Sequence, residues 1–364
     1  MLVEGAILDD EGSRRAYVRV RHGQVIEVGL PGTDSSHGRE RRVRGIVIPA
    51  PVNGHTHLGD SVSVREPPPG PIASLVRPPD GYKFRLLAEA SDAEKRRGLR
   101  GALRRMRRDH VAATIDFREE GIPGVRMLRA AARAERVRAV ILGRPLARPV
   151  DPRELAELLR VADGVGLSSA LEESRATRET VARACRRAGR HFGLHASESR
   201  REDPDDYLRP RPDLLVHLAH ATDDDLGAVR SARVTVAVCP RSNALFGRQP
   251  NLAAMEHLGL NVLLGTDNAM FHAPSIWREL EFAYVGTRLM RRPASAAFLA
   301  QCALVHPWRW LGEPGAAHVA PGMPRPPLLV RLPPDDPAYQ IVTRTSEHLI
   351  VPLGPEGARA EGGR

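Results

Sequence analysis

The sequence predicts an α/β protein built on a (β/α)8 TIM barrel, and three observations carry that prediction. First, eight apolar runs recur, at 45–49, 112–117, 139–142, 165–167, 192–195, 214–219, 234–238 and 262–265. Second, helix-like segments separate most of them; 92–108 is the clearest, followed by 152–162, 175–187, 223–231 and 251–258. Third, only the two ends of the chain lose this rhythm and read as strands. Strands buried on both faces appear as continuous apolar runs, and strand–helix alternation implies parallel crossovers. Eight such units within ~250 residues match a (β/α)8 barrel.

Taken in order, residues 1–46 read as short strands. Val18 to Arg21 alternates, His22-Gly23 breaks the pattern, and Gln24 to Val28 resumes it, which is a hairpin signal. The polar stretch 34–42 reads as loop. A proline-rich insertion at 61–81 follows the first barrel run, and an insertion of that length often acts as a functional lid. Beyond Gly312 the helical pattern fades, while 326–332 and 348–353 read as strands and 355–364 as a frayed end. The division expected is therefore a barrel over 47–312 and one small β domain assembled from 1–46 and 313–364.

A chain of 364 residues, 42% hydrophobic and 27% charged, can bury a sizeable core. That excludes a disordered tail protein and a small disulfide scaffold. No apolar run approaches ~18 residues, so no membrane span is expected. The first ten residues lack the basic and apolar regions of a signal peptide. Three cysteines without CxxC spacing fit a reducing cytoplasm and argue against a cysteine metal site. The net charge of +10 raises nucleic acid as a partner. Lys83 and Lys95 are the only lysines, however, and the arginines spread over the whole chain. Aromatics at 4% are too few for base-stacking platforms, so a small-molecule substrate is the expected partner. A positive field could still steer a phosphorylated or carboxylated substrate.

The chemistry sits at the ends of the apolar runs. Asn53-Gly54-His55-Thr56-His57 follows the first run, and residues i and i+2 of a strand share a side, so His55 and His57 could face one metal ion. Leu194-His195-Ala196-Ser197-Glu198 ends another run with a histidine and, three residues on, a carboxylate. His217 and His220 lie at the close of 214–219, and Asp267 closes the last run. In a parallel barrel all strand C-termini meet at one face, where active sites lie. A lone histidine or aspartate at a strand end is usually a hydrogen-bonder or a helix cap. Recurrence at several strand ends calls for a different explanation.

Together these motifs, with Cys239-Pro240-Arg241-Ser242-Asn243 and Gly265 to Asn268, resemble the metal-dependent amidohydrolase superfamily, in particular its cytosine deaminase and adenosylhomocysteine deaminase branch. The resemblance spans 53–268 in the family's order, and it implies that the strand-like ends form a composite β-sandwich. It implies one divalent metal ion, Zn or alternatively Fe, on His55, His57, His195 and Asp267. It further implies Glu198 as proton shuttle and His220, with Asp267, as the groups that orient the attacking water; His217 is the rival to His220. Binuclear members carry a bridging lysine on the fourth strand, and neither lysine here lies there, so a mononuclear site follows. The activity implied is hydrolytic deamination of an amino-substituted N-heterocycle, with cyclic-amide hydrolysis of the imidazolonepropionase type as the alternative. A catalytically inactive nucleic-acid-binding protein is the third reading, and the intact ligand and acid–base residues argue against it. Homo-oligomers are common among such relatives.

Substrate contacts are drawn from three residues at the same face. Arg118 could bind a carboxylate, a phosphate or a ring carbonyl, or simply pair with Glu119 or Glu120. Asn243 shapes its loop or touches substrate. His272 lines the pocket or caps the helix beginning near Ser275.

Overall fold

The computed structural model describes residues 1–34 and 40–354. Residues 35–39 and 355–364, which include part of the expected loop and the expected frayed end, lie outside the described residues. Four strands open the chain: β1 (Leu2–Asp9), β2 (Gly12–Arg21), β3 (Gln24–Gly29) and β4 (Arg42–Ile48). There follow β5 (Val52–His57), β6 (Ala113–Arg118), β7 (Arg138–Gly143), β8 (Gly164–Leu167), β9 (His191–Ala196), β10 (Leu214–His217), β11 (Thr235–Val238), β12 (Val262–Leu264) and β13 (Asp267–Asn268). β14 (Leu328–Val330) and β15 (Ile350–Pro352) end the series.

Strands β5 to β13 form one row in the order β12-β11-β10-β9-β8-β7-β6-β5-β13. Every pairing in it is parallel. β13 follows β12 after Gly265 and Thr266 and pairs with β5, Asp267 opposite Thr56 and Asn268 opposite His57. The ends of the row are thus two halves of one interrupted strand, and the sheet closes as a TIM-like barrel. Its interior is packed by Ile115, Phe117, Val140, Leu142, Leu214, Val216, Ala237, Cys239 and Leu263. The Phe117 ring fits because Gly166 and Gly193 face it; a Cβ on either would lie 2.4 Å from the ring. That ring is the floor of the site described below.

The remaining strands form a six-stranded sheet, β15-β14-β4-β1-β2-β3, drawn from both ends of the chain. β1 and β4 pair in parallel and the other pairings are antiparallel. Period-two alternation gives the sheet two apolar faces. Val47 and Leu329 join a small cluster with Val3, Ile7, Val18 and Val25, whereas Ile46, Ile48, Leu328 and Val330 join the main core around the barrel.

Three expectations are corrected here. The run 45–49 belongs to β4 of this sheet, and the first barrel strand is β5, beyond Pro49-Ala50-Pro51. β5 does not read as an apolar run because it spends its buried positions on Asn53, His55, Thr56 and His57. The composite β-sandwich is a single hydrogen-bonded sheet among the described residues. The region beyond Gly312 also carries a helix, Pro337–Arg344, which buries Ala338, Ile341 and Val342 at i, i+3 and i+4.

The insertion after β5 holds α1 (Ile72–Val76), α2 (Tyr82–Glu89) and α3 (Asp92–Arg108). α3 starts where the sequence says it should. Ser91 caps it reciprocally with Glu94, and Arg105, Arg107 and Arg108 complement the dipole in its last turn.

Candidate active site

His55 and His57 lie on β5, His195 on β9, His217 at the end of β10 and Asp267 on β13, so the barrel brings five side chains from four strands to one place. The donor atoms face one another. His57 Nε2 lies 3.3 Å from His195 Nε2 and 3.6 Å from Asp267 Oδ1, and His55 Nε2 lies 3.4 Å from Asp267 Oδ1. Ligands held tetrahedrally about 2.1 Å from a zinc ion are about 3.4 Å apart. Both ring nitrogens of His55 are buried without a hydrogen-bond partner. Leaving such atoms buried and unpaired is costly, and a cation would satisfy Nε2, the nitrogen that faces Asp267. The donor set therefore fits a divalent metal.

A second layer of contacts fixes which nitrogen each ring presents. His195 Nδ1 donates to the Leu167 carbonyl at 2.8 Å, and His57 Nδ1 donates to Glu119 Oε1 at 2.9 Å, so Nε2 points inward in both. Ser242 Oγ donates to Asp267 Oδ2, leaving Oδ1 toward the imidazoles. Asp116 Oδ2 accepts from Thr56 Oγ1 at 2.8 Å and from the Leu58 N–H at 2.7 Å, which clamps the backbone on either side of His57. Asn53 ties β5 to the break in the eighth strand by pairing its side chain with Thr266.

Metal binding needs neutral imidazoles and an ionised carboxylate, and the electrostatics of His55, His195 and Asp267 suit it, whereas His57, against its burial, is raised by Glu119 and Asp267. Burial pushes His55 down to about 3. Burial, reinforced by the neighbouring imidazoles, holds His195 well below its ordinary value. Burial would raise Asp267, but the contact with His55 and the other histidines outweighs it and keeps the carboxyl well below its usual range.

Behind His57 lies a group the sequence did not single out. Lys83 Nζ donates to Glu119 Oε1 at 2.6 Å and to Asp60 Oδ2 at 3.1 Å, with all three side chains buried. His57, Asp60 and Glu119 would form a second three-donor cluster, and the Lys83 ammonium already serves its two carboxylates. The signal was present in retrospect: one of only two lysines in the chain follows the histidine pair.

Glu198 stands at the cavity, its Oε1 3.2 Å from His217 Nε2 and grouped with Asp267. Burial raises its carboxyl above the ordinary value, with the His217 charge opposing. Asn243 Nδ2 lies 3.2 Å from His217 Nδ1 and leaves Nε2 facing Glu198. The cavity above these residues encloses about 690 Å³, counting the part open to solvent. Its walls include Ile72, Ala73, Val76, Arg77 and Pro78 from the proline-rich insertion, together with Arg144, Ser168, Ser169 and Phe271.

Several residues lie elsewhere than expected. β10 ends at His217, and the chain turns through left-handed backbone at His217 (φ 77°) and Leu218 (φ 51°). His220 is carried away by that turn; its N–H bonds the Ser197 carbonyl and its ring does not line the cavity. His217 lines the cavity instead. Arg118 is fully buried, pairs with Glu120 and donates to the Gly124 carbonyl, so it does not reach the cavity. His272 Nε2 donates to the Thr266 carbonyl at 2.9 Å and braces the loop before Asp267 rather than lining the pocket. Asn243 touches His217, in keeping with a shaping role.

No family model matches the chain. A protein of Methanothermobacter thermautotrophicus named "Putative aminohydrolase" is 33% identical over 328 residues, 85% of each chain. Among solved structures, an adenosine deaminase from Xanthomonas campestris with bound zinc superposes with a TM-score of 0.75 at 17% identity, covering 97% of this chain and 91% of that one. A guanine deaminase from C. acetobutylicum with bound guanine gives 0.70 at 13% identity, covering 96% and 97%. Such low identities establish a likeness of fold. The relative, 33% identical over 85% of each chain, places the protein: it belongs to the metal-dependent amidohydrolase superfamily, and the fold agrees. No helix among the described residues is long and apolar enough to cross a membrane.

Proposed function

We propose that this chain is a mononuclear metal-dependent aminohydrolase that releases ammonia from an amino-substituted N-heterocycle. The observation that carries the reading is the placement of Glu198, a half-buried carboxyl with a raised pKa at the cavity, beside His217 and Asp267. A carboxyl raised in this way can give a proton to a ring nitrogen and so make the adjacent carbon electrophilic. His55, His57, His195 and Asp267 would hold the cation, Zn before Fe for this imidazole–carboxylate set. The cation supplies a Lewis acid that lowers the pKa of a water ligand toward ~7. His217, steadied by Asn243, and Asp267 orient the attacking water, and Glu198 takes its proton and passes it to the leaving amine. The Lys83 ammonium between Asp60 and Glu119 supports a single ion, because it supplies the positive charge that a second would bring. Three buried free thiols support a cytoplasmic setting.

The test is ammonia release by zinc-loaded protein from a panel of amino-purines, amino-pyrimidines, pterins and triazines, with Glu198→Gln alongside. Ammonia from any member, lost in the variant while the metal is retained, is the expected outcome. Silence across the panel, or undiminished turnover by Glu198→Gln, contradicts the reading.

A further inference from the structure

Arg144 directly follows β7, and it lines the cavity while only 8% exposed. The cations around it all have carboxylates. Lys83 has Asp60 and Glu119, Arg118 has Glu120, Arg148 has Glu173 through two hydrogen bonds, and Arg77 has Glu172 at 3.6 Å. Arg144 has none: among the described residues its guanidinium makes no ion pair within 4.0 Å and no side-chain hydrogen bond, although its charge acts on Lys83 and Glu119. Ser168, directly after β8, is 4% exposed and lines the same cavity, and its hydroxyl likewise has no hydrogen-bond partner among the described residues.

A buried guanidinium without a hydrogen-bonded carboxylate is costly, and a planar fork of donors matches a carboxylate or a phosphate. β7 and β8 are neighbours, Gly143 opposite Val165, whereas the metal donors come from β5, β9 and β13. A heterocycle with its reacting carbon at Glu198 and His217 can therefore extend toward Arg144 and Ser168 within one cavity. We propose that Arg144, assisted by Ser168, binds an anionic substituent of the substrate, a carboxylate or a phosphate. The inference rests on the aminohydrolase reading only in treating the ligand as a substrate.

The experiment is calorimetric binding to the zinc-loaded Glu198→Gln protein, with and without Arg144→Gln. The probes are two matched pairs: pterin against pterin-6-carboxylate, and adenosine against adenosine 5′-phosphate. At least one acidic probe is expected to bind about 30-fold tighter than its neutral partner, as a charge-assisted bidentate contact predicts. The pair that shows the preference tells a carboxylate site from a phosphate site. Arg144→Gln should erase the preference and leave the neutral probe within about threefold, while Arg144→Lys, which keeps the charge, should retain part of it. Equal binding of acidic and neutral probes in both pairs, or a preference that survives Arg144→Gln, overturns the proposal. Acid-selective binding without ammonia release from any acidic heterocycle by the wild-type protein would leave this site standing and sink the aminohydrolase reading. Ammonia from neutral heterocycles alone would do the reverse.

Discussion

The two walls of the cavity are built on different principles. On the β5, β9 and β13 side, most of the polar groups have a partner behind them: Glu119 behind His57, the Leu167 carbonyl behind His195, Ser242 behind Asp267. On the β7 and β8 side, Arg144 and Ser168 have none among the described residues, and the facing insertion offers apolar Ile72 and Val76. Chemistry needs ligands held in one orientation before anything binds, so that wall is braced. Recognition needs groups whose best partner is the ligand itself, so the other wall leaves them unspent. The difference separates residues that should govern kcat from those that should govern KM.

The strongest way to break that comparison is at Glu198. Glu198→Gln should lower kcat by about 100- to 10,000-fold with bound metal unchanged, read by steady-state kinetics and elemental analysis. Next comes the pair of histidines. His217→Ala should lose at least about 100-fold in kcat, whereas His220→Ala should stay within about threefold. The reverse order would restore His220 to the role the sequence suggested. Glu119→Gln removes the carboxylate that orients His57 and should weaken metal affinity by about 10- to 100-fold, measured by competition with a chelator. An unchanged affinity would mean that the bracing does not matter.

The smallest expected effect concerns pH. Burial pushes Glu202, which lines the cavity, up from 4.5 to about 7. A carboxyl raised in the folded state favours folding while protonated. Its contribution is complete below pH 4.5 and is lost as the pH climbs to about 7. Relative to wild type, Glu202→Gln should therefore flatten the fall in unfolding midpoint across that window, by on the order of 1–2 kcal/mol in stability. Parallel curves for the two proteins would remove Glu202 from the account.

Most of the barrel was legible because its strands are buried on both faces and its helices carry local signals. α3 runs over the same residues that its sequence pattern gives, since Ser91, Glu94 and the closing arginines mark both ends within the segment itself. β5 was misread for a physical reason: a strand that builds a site buries Asn53, His55, Thr56 and His57, and its neighbour 45–49 looked more strand-like. Choosing between His217 and His220 required the backbone turn at 217–218, which no composition rule encodes. Arg118 and Arg144 both follow or end barrel strands and look alike in sequence. Only the fold shows that one pairs with Glu120, while the other, among the described residues, has no ion pair and lines the cavity. Lys83 was legible as a rarity, and its role depended on two carboxylates 23 and 36 residues away.

The braced wall should hold one divalent cation. The most direct measurement is the metal content of the purified chain by elemental analysis after loading with zinc and removal of excess, set beside His195→Ala. One ion per chain is expected in the wild type and none in the variant. Two ions per wild-type chain, or an ion retained by His195→Ala, would contradict it.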